Sequence, residues 1–486
     1  MEKRYKGMTL AICLALALSA RSVSAQDVSL QDAIDIALAQ NTGLLITQKG
    51  EDTAEATLAK AKGQNGFSAK ASGDVLQSSK NEGEKRADSS SLGLSGSLPL
   101  YTGGANEANI KSGEIGVESS RLTTERKRED LKLSVIKAYY NALEARKTID
   151  VDQESVDNYQ AHYTNVSQLY SAGSKARIDV LRSSVELSNA RQTLIKAQNS
   201  YEVDLSTLRN LLNMDRTVPL NLTTDFSYDK FDISMDDAIA YAYRNRKDLK
   251  VSEYEMKQKE LAITSAKAGY QPELSLSVGT NVLNKQWHPS TDNKTGLSAG
   301  VGLSWDIFDS GVTKAEVKEA KNQYDIAKLN LLKDKEDIDL SLRQSYYNMR
   351  EAEKRFTSTS DAVNQAEEDY YIAREKYRAG EGLMLDIIDA QLALSTARLN
   401  HISAQYDYAR YKAEVENEMG IGLNDSEKAA SGQLDTDAAR VIAASPLTKT
   451  QTAAQPAASA KAPASKDVRR ESQQTVAELA GNGAAK

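Results

Sequence analysis

Two very long heptad runs, each cut short by the same turn, restrict this chain more than anything else in it. One run places Ile110, Val117, Thr124 and Leu131 seven apart, then steps by four to Val135, Ala142, Ile149, Val156, Tyr163 and Tyr170. The other places Val317, Tyr324, Leu331 and Ile338, steps by four to Leu342, and continues through Met349, Phe356, Val363, Tyr370 and Tyr377. An apolar residue at every seventh position is the seam of one helix lying on another. The shared four-residue step is a stutter, which locally unwinds a left-handed supercoil. Each run ends in related words: Tyr170-Ser171-Ala172-Gly173 followed by Asp179, and Tyr377-Arg378-Ala379-Gly380 followed by Asp386 and Asp389. Gly173 and Gly380 allow a positive φ, which ends a helix and lets the chain reverse. Asp386 and Asp389, three apart, fall on one helix face.

The chain therefore holds two copies of one helical hairpin. Its long arms are expected at Ala105 to Leu169 and Val312 to Lys376, roughly 65 residues or about 100 Å at about 1.5 Å per residue. The return arms, Arg177 to Leu212 and Leu383 to Glu418, reach about half that distance. The other half falls to the helices that lead in, which start at Ser29-Leu30-Gln31-Asp32-Ala33-Ile34 and Ser234-Met235-Asp236-Asp237-Ala238-Ile239. These twin phrases carry a capping box with Asp in place of Glu and are the plainest sign of duplication. Each lead-in helix loosens near Asn41 or Asn245 and resumes to about Lys62 or Ala268. Two short helices end to end can thus face one long one.

Between lead-in and long arm the period changes to two. Phe67, Ala69, Ala71, Gly73 and Val75 alternate with small or polar residues, as do Leu92 to Leu100, Leu274 to Val278 and Leu297 to Ile307. Period two over about ten residues marks strands, so hairpins are expected at 67–101 and 273–308, with polar connections at 78–89 and 283–295. One apolar face and one small, polar face suits lipid outside and water inside. Tyr101, Trp305 and Phe308 at the strand ends suit a membrane–water boundary.

The first 25 residues read as a secretory signal. Lys3, Arg4 and Lys6 precede an apolar stretch from Met8 to Ala20, and Val23-Ser24-Ala25 sets up a cut before Gln26. The lone cysteine, Cys13, lies in that stretch after Ile12, without the small residue a lipid-anchor signal needs, so the mature chain has no thiol chemistry. Downstream no apolar run is long enough for a spanning helix, and a membrane span must be a barrel. The domain plan is then a signal at 1–25, repeat 1 at 26–212, a linker at 213–232 beside the midpoint of the helices, repeat 2 at 233–421, and an Ala-, Ser-, Thr- and Gln-rich disordered tail at 422–486. A net charge of −7 offers nothing to a nucleic acid. His162, His288 and His401 are too scattered for a metal site, and no phosphate loop or nucleophile motif occurs, so no enzyme, metal or cofactor is expected. A secreted or surface coiled-coil scaffold or adhesin shares the heptads but has no use for paired alternating strands.

Taken together these phrases resemble the TolC-type family of outer-membrane efflux and secretion ducts, over about residues 28 to 421. Ala-Gly-Tyr-Gln-Pro-Glu-Leu-Ser-Leu before a strand and Tyr-Arg-Ala-Gly ahead of Leu-Asp-Ile-Ile-Asp-Ala belong to the match, with the twin Ser-x-x-Asp-Ala-Ile openings. The resemblance implies a mixed α/β membrane protein of a Gram-negative outer membrane. In it three protomers each give four strands to one twelve-stranded barrel, continued by a coiled-coil barrel of helices across the periplasm. It implies a passive homotrimer that serves an inner-membrane pump through a periplasmic adaptor, in drug efflux or type I secretion. It also assigns roles: acid rings of the periplasmic aperture to Asp386 and Asp389, a closed-state link to Tyr377 and Asp179, and adaptor-docking tips to Ala172, Gly173, Ala379 and Gly380. Where a family member carries an arginine that strengthens the closed state, this chain has Gly382, which leaves that role to fewer contacts or to Arg177 or Arg182.

Overall fold

The computed structural model of the chain describes residues 26–77, 88–286 and 296–422. The expected signal segment, most of the two strand connections and the tail beyond Gly422 lie outside the described residues. In order the elements are β1 (Gln26–Val28), α1 (Leu30–Gln40), α2 (Thr42–Gln64), β2 (Ser68–Gln77), β3 (Asp88–Tyr101), α3 (Ala105–Ser171), α4 (Arg177–Leu211), β4 (Leu220–Leu222), α5 (Met235–Asn245), α6 (Lys247–Lys267), β5 (Glu273–Gln286), β6 (Gly296–Ser304), α7 (Val312–Ala379) and α8 (Met384–Met419).

α3 and α7 are the continuous helices, and each is faced by shorter ones in series. On the strand side α2 packs on α3, α3 on α6 and α6 on α7. On the turn side α4 packs on α3, α3 on α8 and α8 on α7. Where two short helices meet, their last carbonyls need partners. At the first junction Asn41 caps α2 by accepting from Leu44 N (3.1 Å) and donates to Leu211 O at the end of α4 (3.0 Å). Asn213 returns the favour, donating to Gln40 O (3.2 Å). At the second, Arg246 donates to Glu418 O (3.0 Å) and pairs with Asp248 and Glu418. Arg126 reaches across from α3 to Asn417 O (2.8 Å) and Asn417 Oδ1 (2.9 Å). Cationic side chains at helix C-termini satisfy orphan carbonyls and oppose the helix dipole.

The two largest cores sit at these junctions. Leu131, Val135, Tyr139 and Ala142 of α3 meet Ile34, Leu44 and Leu208 in one. Ile338, Leu342 and Met349 of α7 meet Ala242, Leu249, Val415 and Met419 in the other. Both stutters therefore fall where the long helix is crowded by two helix ends at once. Farther out the seam is only partly covered: Ile110, Tyr324 and Val363 are half-buried and Tyr170 is exposed.

The linker is more ordered than its lack of periodicity suggests. β4 pairs in parallel with β1, Gln26 opposite Leu220 and Val28 opposite Leu222. Past it, Phe226, Tyr228 and Phe231 lay their rings against Phe356, Tyr408 and Tyr346 at 5.7, 5.3 and 6.4 Å. Three-residue strands are too short to show a period, so only their partners reveal them.

The remaining strands form one antiparallel sheet in the order β2-β3-β5-β6. The β3–β5 pairing, Leu94 opposite Thr280 and Gly96 opposite Val278, joins the two repeats. Register sorts the faces as the alternation predicts. Ala71, Leu94, Val278 and Ala299 share one face, while Ser72, Ser95, Ser277 and Gly300 share the other. Three boundaries differ from the sequence reading. The ladder reaches Asp88 and Gln286, into the expected connections. Phe67 precedes β2, its ring folded so closely over Gly96 that a Cβ there would sit 2.5 Å away. β6 stops at Ser304, so Trp305, Ile307 and Phe308 lie beyond it: the next partner, Pro272, has no N–H to extend the ladder. Trp305 instead donates to Tyr270 O (3.2 Å). Among the described residues no helix is long and apolar enough to cross a membrane.

Tyr139 ties β1, the linker and α3 together. Its hydroxyl donates to Val28 O (2.9 Å) and accepts from Thr224 N (3.0 Å), fully buried. Tyr139→Phe leaves Thr224 N unpaired, while Val28 O keeps only its bond from Thr223 N (3.3 Å), and should cost about 1–3 kcal/mol. A denaturant titration of the purified protein should show a lower unfolding midpoint, and an unchanged midpoint contradicts this role.

Candidate functional site

The candidate site is the turn end of the helices, where every hairpin residue to which the resemblance gives a role falls. Both turns close by the same device. Gly173 (φ 75°) follows α3 with Ser174 N bonded to Leu169 O at 2.8 Å. Gly380 (φ 81°) follows α7 with Glu381 N bonded to Lys376 O at 3.0 Å. These six-to-one bonds with a left-handed residue are Schellman caps, and they fold the last carbonyls inward. Ala172, Gly173, Ala379 and Gly380 are all exposed at the tips. Gly382 lies against the end of α7: a Cβ there would stand 2.9 Å from Tyr377 N and 3.1 Å from Lys376 C. A side chain at 382 would have to push the end of α7 aside in this turn. Arg177 and Arg182 are exposed on α4.

Tyr377 is the centre of the packing behind the tips. Only 5 % exposed, it joins Val166, Ala373, Ile387 and Ala390 in a small core. The Lys175 ammonium sits 4.5 Å above its ring, and the His162 ring lies 5.5 Å away. The expected hydrogen bond to Asp179 is not made within this chain. The Tyr377 hydroxyl is buried without a partner, because its ring is held beneath Lys175 and beside His162. Asp179 acts on it through space: burial first, and then the Asp179 charge, hold the phenol above its ordinary pKa and keep the proton on.

The two aspartates stand in different positions. Asp386 accepts from Leu383 N (3.0 Å) and so caps α8. Asp389, one turn on, is exposed. Together with burial, Glu186 and Tyr370, which act more strongly, it pushes the Tyr159 phenol up to about 12. The sequence does not single out His162 or Lys175 for this cluster. His162 stands one residue off the heptad seam and Lys175 in the turn, positions that ordinarily face water.

From the tips back to the midpoint, α8 is joined to α3 and α7 by polar contacts. Ser155 meets Ser395 at 2.8 Å, and Asn158 donates to Gln391 (3.1 Å). Arg398 pairs with Glu154 (2.6 Å) and Glu367 (2.7 Å). Such exchangeable links tolerate sliding better than an interlocked apolar core. At the opposite end Tyr101, Trp305 and Phe308 are all exposed, Phe308 at 87 %. Among the described residues no cluster of His, Cys, Asp and Glu could hold a metal ion.

A sheet with both edges open, lipid-suited on one face and continued by helical hairpins that end in exposed turns, defines a duct-forming outer-membrane protein. The chain matches the outer membrane efflux protein family over residues 33–214 and 238–420, one segment per repeat, and belongs to it. It is thus an outer-membrane channel of the efflux and type I secretion kind, a transporter without enzymatic activity. Toxin and drug export protein A of Aggregatibacter actinomycetemcomitans is 24% identical over 345 residues, 68% of this chain and 72% of that protein. Outer membrane protein TolC of Escherichia coli is 20% identical over 319 residues, 63% of this chain and 64% of that one. Among solved structures, the Campylobacter jejuni CmeC outer membrane channel superposes with a TM-score of 0.72 at 19% identity, over 84% of this chain and 89% of that one. The open state of the Neisseria gonorrhoeae MtrE channel superposes with a TM-score of 0.69 at 20% identity, over 81% and 89%.

The crowding at Gly382 yields a test. Gly382→Ala forces the α7–α8 turn off the Tyr377 backbone. Trypsin should then cut after Arg378 several times faster than in the parent protein, measured by mass spectrometry of timed digests. Equal rates mean the turn absorbs the methyl.

Proposed function

We propose that three copies of this chain close one barrel and one helical tunnel, through which cargo supplied by an inner-membrane pump and a periplasmic adaptor leaves the cell. The observation that carries this reading is the four-stranded sheet with β2 and β6 at its open edges. Four strands cannot close, since small barrels need about eight, and the unpaired backbone N–H and C=O groups along an open edge cannot rest in lipid. Val301 and Leu303 of β6 are exposed in the single chain. Copies joined β2 to β6 remove both edges and put the Ser- and Gly-rich face around the water. Lys70 and Asp74 are the charges the described part of β2 adds to that face.

The helices offer matching surface. Ile178, Leu181 and Val185 line an exposed stripe on α4, and Ile326, Leu329 and Leu340 another on α7. In three-fold association these stripes become seams between neighbours. The turn end then draws Asp386 and Asp389 of three chains around one axis as acid rings, with Tyr377 and Asp179 behind them, coupled through space rather than by a hydrogen bond within one chain, as the link that keeps the mouth narrow. The exposed tips at Ala172, Gly173, Ala379 and Gly380 are the surface for the adaptor. The names of relatives, which include drug export and toxin export proteins, support an export role and leave the cargo to the pump.

Two measurements test this. Purified protein in detergent should be trimeric by native mass spectrometry and should form cation-selective channels in a planar bilayer. A silent monomer would defeat the reading. Asp386→Asn with Asp389→Asn keeps an acceptor to cap α8 but removes the charge. This pair should lower cation selectivity and weaken block by multivalent cations by about tenfold or more, and unchanged selectivity would place the ring elsewhere.

A further inference from the structure

Among the described residues, buried side-chain polar atoms without hydrogen-bond partners occur on Arg244 and Arg355 and, on three separate residues, toward the turn end. These three are His162 Nε2, Ser167 Oγ and Tyr377 Oη. His162 and Ser167 lie in the last turns of α3 and Tyr377 in the last turn of α7. Native interiors rarely leave such groups unpaired, and two of them on neighbouring rings, His162 and Tyr377 at 5.5 Å, call for an explanation. The other half-buried histidine shows the contrast. His401 stacks on Phe356 (5.2 Å), and its two nitrogens lie 3.1 Å from Thr359 Oγ1 and 3.1 Å from Gln405 Nε2.

From this arrangement we infer that His162 is an acid trigger for the duct mouth: neutral, it packs against Tyr377 and keeps the hairpins together, and protonated, it drives α3 and α7 apart at their turn ends. The inference rests on the duct reading for its consequence but not for its chemistry. An imidazolium at this position would lack an acceptor for its Nε2–H. It would also stand beside the Tyr377 ring together with the Lys175 ammonium, two cations around one ring. The groups set around it are Lys175 in the α3–α4 turn, Asp179 on α4 and Tyr377 on α7. Asp179 favours the cation, while Lys175 opposes it. Glu186 and Asp389 act on Tyr159, about one turn earlier in α3. Burial, the largest influence, lowers the His162 pKa below its ordinary 6.5, with Asp179 raising it and Lys175 lowering it further.

The direction of the pH effect follows. The packed mouth binds the proton less well than a loosened one. The packed form is therefore fully favoured above the ordinary histidine pKa and loses ground as pH falls through it toward the lowered value. At pH 5.5, one unit below 6.5, the packed-to-loose ratio should fall by up to about tenfold in each protomer.

The test is hydrogen–deuterium exchange of the full-length protein in detergent at pH 7.5 and 5.5, corrected for intrinsic rates, read at residues 158–170 and 370–380. Wild type should exchange up to about tenfold faster at the lower pH. His162→Gln should show no such acceleration, nor should His162→Phe, which keeps a ring against Tyr377. Lys175→Met should show a reduced one. Acceleration that persists in both His162 variants overturns the inference, as does a wild type indifferent to pH. Conductance recorded in parallel separates the two claims. Protein that never conducts yet loosens through His162 sinks the duct and leaves the trigger standing. Conduction without histidine-dependent loosening does the reverse.

Discussion

A helix about 100 Å long cannot bury its own seam, and the need to cover two of them organises everything else in this protein. No single return helix is long enough. Each long helix is therefore faced by a lead-in helix on the strand side and a return helix on the turn side. That solution creates two junctions with orphan helix ends inside the wall. Asn41 and Asn213 meet this cost at one junction, and Arg246 and Arg126 at the other. The same junctions hold the stutters and the two main cores, so the midpoint is the most tightly determined part of the chain.

Away from the midpoint the two halves are built for different work. On the strand side the sheet passes its register straight across the repeat boundary, and its faces are sorted by residue size and polarity. On the turn side the apolar content thins out. α8 is held by serine, glutamine and arginine contacts, and the last small core contains buried polar groups that lack partners. Rigid anchoring at the middle with weaker cohesion at the tip suits the proposed mouth, which would have to open without unfolding the duct.

Much of this was legible in the chain. The duplication, the long and short helices, the glycine turns and the strand faces all follow from period, spacing and the two twin openings. The expected long arms end within three residues of the observed α3 and α7. What escaped was short or depended on a partner. β1 and β4 are three residues each and exist only through their pairing. Trp305 and Ile307 continue the alternation of β6, yet Pro272 opposite Trp305 ends the ladder. Tyr377 was readable as a seam residue that closes a heptad run. Its surroundings were not, because Lys175 and His162 come from a turn and from an off-seam position.

By itself the sequence determined which segments are helix or strand, that they come twice, and that neither copy can enclose anything alone. Local periodicity and glycine placement settle those points, since they depend on neighbours in the chain. Only the tertiary structure decided which groups the hairpin end leaves unsatisfied. That Asp386 caps a helix while Asp389 stands free, that a side chain at 382 would have to push the end of α7 aside, and that Tyr377 shares its burial with a histidine rather than bonding Asp179 are facts of three-dimensional crowding. They arise from residues far apart in the chain competing for the same volume, and spacing along a sequence carries no record of that competition.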